Sequence, residues 1–151
     1  MNAQQNPSTN AQFQIHKLYL KDLSYQMPGG TESFRSNWAP ELNVEIQTQS
    51  KPLAEKDTHE VVLSSKCTVN TEGKAAFVIE AQQAGIFTIS NLDEAQLKQA
   101  LAVFCPNLLY PYLRETISNL VMKGGFPQLS LAPINFEALY QQEIAKNTTQ
   151  Q

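Results

Sequence analysis

Hydrophobic positions change their spacing midway along this chain, dividing it into a strand-forming front and a helical back. In residues 42–48, Leu42, Val44 and Ile46 alternate with Asn43, Glu45 and Gln47, the period of two expected of a half-buried strand. The same alternation runs through Val61, Leu63, Ser65, Cys67 and Val69, and again through Ala75, Phe77, Ile79 and Ala81. Asn70-Thr71-Glu72-Gly73 joins these two segments, and Gly73 accepts the positive φ of a tight turn, so residues 60–69 and 74–83 are predicted to form an antiparallel hairpin. Residues 13–26 are less regular. Phe13 and Ile15 share one parity, Leu18 and Leu20 the other, and Leu23 and Tyr25 return to the first. Such a slip predicts a bulge, or a strand partly covered on both faces.

Residues 27–40, MPGGTESFRSNWAP, read as a loop from Gly29, Gly30 and the flanking prolines. The loop carries Phe34 and Trp38, large side chains that either pin it to the domain or form an aromatic lip on a binding groove. Beyond residue 90 the apolar period lengthens. Leu97, Ala100, Leu101 and Phe104 fall at helical spacing behind Asn91, a candidate N-cap with Glu94 as its acidic N3 residue. Interior prolines cost about 3 kcal/mol, so this helix is expected to end before Pro106. A second starts near Pro106 or Pro111 and runs through Leu113, Ile117, Leu120 and Val121 to a stop at Lys123 and Gly124. After the connector GGFPQLSLAP, Asn135 caps a last helix with Phe136, Leu139, Tyr140 and Ile144 on one face and Glu137, Gln141, Gln142 and Lys146 on the other.

The pattern therefore predicts an α+β fold, a four-stranded antiparallel sheet followed by helices packed on one face. So few helices cover one face only, leaving Glu45, Glu80 and Asp22 on a solvated, acidic sheet surface. Residues 1–11 and 147–151, dominated by Gln, Asn, Ser and Thr, read as disordered tails around a single domain of residues 12–146.

Composition narrows the function classes. Eleven Lys and Arg against fourteen Asp and Glu give a net charge of −3 with no basic cluster, which argues against nucleic acid and anionic membranes as partners. No run approaches the roughly 20 apolar residues of a spanning helix, and the N-terminus has no signal-peptide pattern, so the expected location is the cytoplasm, with Cys67 and Cys105 as free thiols. Two Cys and the distant His16 and His59 do not make metal-ligand spacing. Phosphate-binding, nucleophile-elbow and zinc-protease motifs are missing. Cys105 at a helix start is a conceivable nucleophile, but apolar Phe104, Leu108 and Leu109 would raise its pKa. Neither a catalytic residue nor a cofactor is expected.

The run CPNLLYPYLRETISNLVMKGGFPQLSLAPINFEALY, with QQAGIFTI, EVVL, FQIHKLYLKDLSY and NWAPEL, resembles the SecB protein-export chaperones over nearly the whole chain outside the tails. The resemblance implies an ATP-independent cytoplasmic chaperone that holds unfolded precursor proteins and delivers them to the SecA motor, assembled as a homotetramer, a dimer of dimers. On this resemblance the SecA-docking face maps to Asp22 of KDLS, Gln26, Val78 and Glu80; Gln26 stands where a common form of the motif has Glu, one charge fewer. Client binding maps to Phe34, Trp38, Leu42, Phe136, Leu139, Tyr140 and Ile144. Subunit contacts map to Ile79, Ala81 and Gln83, and to the packing helix through Leu113, Ile117, Leu120 and Val121. The competing readings are an enzyme or small-ligand domain with a single apolar pocket, and a purely structural oligomerisation module.

Overall fold

The computed structural model describes residues 10–149. Four long strands, β1 (Gln12–Gln26), β2 (Pro40–Pro52), β3 (Thr58–Thr71) and β4 (Lys74–Ser90), form one antiparallel sheet in the order β1-β4-β3-β2. Of the tails expected at residues 1–11 and 147–151, residues 1–9 and 150–151 lie outside the described residues. Asn10 is tied down, its carbonyl accepting a 2.8 Å hydrogen bond from Asn91 Nδ2.

The hairpin of β3 and β4 forms as the pattern predicts, and both strands run further than the alternation alone marks. At its turn Glu72 (φ 53°) and Gly73 (φ 77°) both take positive φ, the geometry whose twist matches the flanking strands. The parity slips in β1 resolve into two bulges, between Ile15 and Lys17 and between Leu20 and Asp22. Each inserts one unpaired residue, His16 and then Lys21. Phe13 and Ile15, Leu18 and Leu20, and Leu23 and Tyr25 consequently all return to one face, opposite Ile89, Phe87, Gly85, Gln83, Ala81 and Ile79 of β4.

The helices differ from expectation in two ways. The N-cap is Asp93, not Asn91: Asp93 Oδ1 accepts from the Gln96 N–H at 2.8 Å while Gln96 Oε1 accepts from the Asp93 N–H at 3.1 Å, a reciprocal capping box. Asn91 instead takes φ 65° in the preceding turn. Nor does the helix stop at Pro106. α1 (Glu94–Gln99) passes through one π turn (Ala100–Phe104) directly into α2 (Cys105–Lys123). In that turn the Cys105 N–H reaches back five residues to Ala100, and the wider coil moves away the carbonyl that the Pro106 ring would strike. Pro111 sits on the exposed side of α2, where helix carbonyls can tilt toward water. α3 (Phe136–Thr149) begins at the expected cap, Asn135 Oδ1 accepting from the Ala138 N–H at 3.0 Å, and continues three residues into the segment expected as tail.

All the helical mass lies on one face of the sheet. Val61, Leu63, Cys67, Val69, Phe77, Ile79 and Phe87 meet Cys105, Leu109, Leu113, Ile117 and Val121 there, none more than 2 % exposed. The opposite face meets solvent.

Candidate functional site

Two aromatic clusters mark the ends of the helix-bearing face. At one end Phe126 is central: Phe34 stacks on it at 5.1 Å and Trp38 at 5.3 Å, and Phe77 lies at 4.9 Å with Tyr25 beyond it at 6.1 Å. The 27–40 loop, which includes a 3-10 turn at Gly30–Phe34, is thereby pinned to the domain, yet Phe34 stays half-exposed. The contacts are those of the pinning reading: Trp38 packs inward on Phe126, and Phe34 stacks beside it at the surface. Gly124 ends α2 against Tyr25, and a Cβ there would stand 2.0 Å from the tyrosine oxygen. Phe126 escaped the sequence reading because it sits in a proline-rich connector without periodicity. Its one signal is a bulky aromatic directly after a Gly-Gly stop. The second half of the connector is tied to α2, Tyr110 Oη donating to the Ala132 carbonyl at 2.5 Å and Ser118 Oγ to that of Leu129 at 3.3 Å.

Between β2 and α3 runs an open groove of about 720 Å³, lined by Ile46, Thr48, Leu101, Ala102, Phe136, Leu139 and Tyr140, with Lys98, Glu143 and Lys146 at its margin. Leu139 is exposed and Tyr140 half-buried, whereas Phe136 is nearly buried as the groove floor, edge-on to Tyr110 at 5.9 Å. Leu42 and Ile144 are exposed but do not line the groove. Of the expected client-binding set, Phe136, Leu139 and Tyr140 thus line the groove, Phe34 and Trp38 sit on the loop, and Leu42 and Ile144 lie apart from both. A second, apolar cleft of about 480 Å³ lies at the far end among Phe13, Ile89, Leu92, Val103 and Phe104, where Phe13 and Phe104 meet edge-on at 4.6 Å. The apolar surface is distributed over open sites and not gathered into one pocket.

Most of the residues expected at subunit contacts lie inside the chain's own core. Ile79, Ala81 and Gln83, together with Leu113, Ile117 and Val121, are buried within the single chain, facing one another across the sheet–helix interface; only Leu120 is half-buried. The apolar period of a helix marks a buried face without saying whether the cover is the same chain's sheet. What stays exposed is the edge of β1 (Phe13, Ile15, Leu20 and Leu23) and the side chains Phe104, Tyr112 and Met122.

The other face of the sheet is polar. The register aligns Ser24, Glu80, Lys66 and Glu45 across the four strands, and Asp22, Gln82, Ser64 and Gln47 in the next row. Asp22, Glu45 and Glu80 are exposed around one shallow depression, with Gln26 and Val78 a row further on. Chemistry on the buried side is suppressed: burial pushes the Cys67 thiol up to about 11 and the Cys105 thiol up to about 12, far from thiolate at neutral pH. Among the described residues no group of three metal-ligating side chains comes together, and no helix is long and apolar enough to cross a membrane.

The family described as preprotein translocase subunit SecB matches residues 4–147. The chain belongs to the SecB family. It is 47% identical over 141 residues to the protein-export protein SecB of Pseudomonas syringae pv. tomato, covering 93% of this chain and 85% of that one. It is also 47% identical over 137 residues to that of Azotobacter vinelandii, covering 91% and 84%. In fold it is similar to a SecB-like chaperone of Mycobacterium tuberculosis solved with a peptide from the HigA1 antitoxin, at TM-score 0.66 and 18% identity, covering 82% of this chain and 91% of that one. As a SecB protein, the chain is an export chaperone that binds unfolded precursors and keeps them competent for translocation.

Proposed function

We propose that this SecB chain works as a cytoplasmic homotetramer, holding precursors without catalysis or nucleotide on the helix-bearing side of its sheet and handing them to SecA through the acidic outer face. The observation that carries the reading is the segregation itself: open apolar sites on one side, Asp22, Glu45 and Glu80 on the other. An unfolded client offers many apolar segments, each giving a few kcal/mol at ~25 cal/mol per Å² buried before the cost of ordering it. Several grooves on one particle convert such weak contacts into strong holding through effective concentration. The exposed apolar edge of β1, together with Phe104, Tyr112 and Met122, supports assembly, since a free edge strand and apolar side chains are covered at once by a second copy. In this arrangement Ile79, Ala81 and Gln83 shape the interface from beneath.

The test is refolding of a denatured precursor with stoichiometric tetramer and no nucleotide. Refolding should be delayed, and SecA should shorten the delay; refolding at the unassisted rate in several-fold excess of tetramer rejects the reading.

A further inference from the structure

The acidic depression has a neighbour on the same face. There Glu60, only 7 % exposed, accepts from Tyr19 Oη and from Lys21 Nζ at 2.9 and 3.0 Å, with Lys51 Nζ at 3.7 Å. Tyr19 reaches it from β1 across Ala84 of β4, a fully buried residue whose small side chain leaves room on this face. Lys21 is the bulge residue between Leu20 and Asp22, so it has no ladder partner and lies next to Asp22 in the chain. Its ammonium has two destinations, Glu60 or the carboxylates of the docking face. Here it is committed to Glu60.

The charge balance makes this matter. Around the acidic depression Asp22, Glu45 and Glu80 against Lys66 leave a formal −2, and among the described residues none of the four makes an ion pair within 4.0 Å. Lys21 and Lys51 against Glu60 are a separate cluster of formal +1. Releasing Lys21 toward Asp22, its neighbour in the chain, would halve the formal charge around the depression to −1, since charges on adjacent residues interact inside the ~8 Å screening length at physiological salt.

We infer that Glu60 is a positioning residue for SecA docking: by holding Lys21, and secondarily Lys51, it keeps these cations off Asp22, Glu45 and Glu80. The inference rests on the reading of that face as the SecA surface. It names Glu60, Lys21 and Tyr19 as determinants that touch no partner.

The experiment measures SecA affinity and, separately, affinity for an unfolded precursor, using the full-length assembled protein. Glu60→Gln should weaken SecA binding about fivefold at low salt, with the loss shrinking at high salt and precursor binding unchanged. Glu60→Gln combined with Lys21→Met, which removes the released cation, should restore SecA affinity to near the parent value, a rescue that a purely structural role of Glu60 would not give. A single variant that docks like the parent, or a double variant as weak as the single, overturns the inference. Should Glu60→Gln not fold, Glu60→Asp, with its carboxylate one methylene further back, is compared with Glu60→Asp/Lys21→Met. The same rescue is expected, and equal affinities of the two overturn the inference. Asp22→Lys with Glu80→Lys separates the two levels: if this reversal leaves SecA binding intact, the docking assignment itself fails, whereas loss on reversal with Glu60→Gln behaving like the parent rejects only the role of Glu60.

Discussion

The two faces of the sheet share every strand and hydrogen-bond ladder, and differ only in what alternate residues present. On the helix-bearing face, the core and the exposed apolar surface share one aromatic cluster: Phe126 is buried and central, while Phe34, stacked on it, is half-exposed. Outside, Asp22, Glu45 and Glu80 are exposed and bury little, so their chemistry can change without the core noticing. Exposed apolar surface is thus tied to stability on one face, while exposed charge is independent of it on the other; under the proposed division of faces, holding is coupled to stability and docking is not.

The coupling breaks most visibly at Phe126. Phe126→Ala should cost ~3–5 kcal/mol in chemical denaturation and also loosen the loop carrying Phe34 and Trp38; stability loss without any change in client dissociation would separate the two roles. On the outer face, Asp22→Lys with Glu80→Lys should weaken SecA binding by about tenfold or more while the denaturation midpoint moves little; an equal loss of client binding would contradict the division of faces. A smaller effect is expected at the groove rim, where Leu139→Ala should raise the client off-rate about fivefold, as measured by stopped-flow release of a labelled precursor.

The smallest test uses pH. Cys67 and Cys105 on the buried side have folded pKa values raised to about 11 and about 12 from an ordinary 9. Their contribution is therefore complete below pH ~9 and lost as pH climbs through that window. Glu60 on the outer face is held below its ordinary 4.5, chiefly by the Tyr19 hydroxyl and then by Lys21, so its contribution is present above about that pH and lost as pH falls through the folded value. Cys105→Ala should flatten the alkaline limb of a stability profile and leave the acid limb in place; Glu60→Gln should do the reverse.

Much of this arrangement was legible in the sequence, for physical reasons that differ by element. The β3–β4 hairpin, the slips in β1 and the Asn135 cap depend on neighbours in the chain, and period and turn chemistry register such neighbours. The continuous helix through Pro106 was hidden because its solution, a bond reaching back five residues, leaves no compositional trace. The burial of Leu113, Ile117 and Val121 and the role of Phe126 depend on which surface arrives to cover them. Asp22, Glu80 and Val78 were found on the outer face as their parity required, but the link from Glu60 to Lys21 spans 39 positions and needs the bulge to exist.

The π turn at Ala100–Phe104 also fixes an angular phase. A π turn is one residue longer than the α-helical path it replaces, and one residue in an α-helix is about 100° of rotation. Removing a single residue there would leave the Leu109 to Val121 stripe seated on the sheet and turn everything before it by about that angle, carrying Lys98 and Leu101 away from the groove they line. The shape of the groove is thus set by the length of the chain between two helices as much as by the side chains along it.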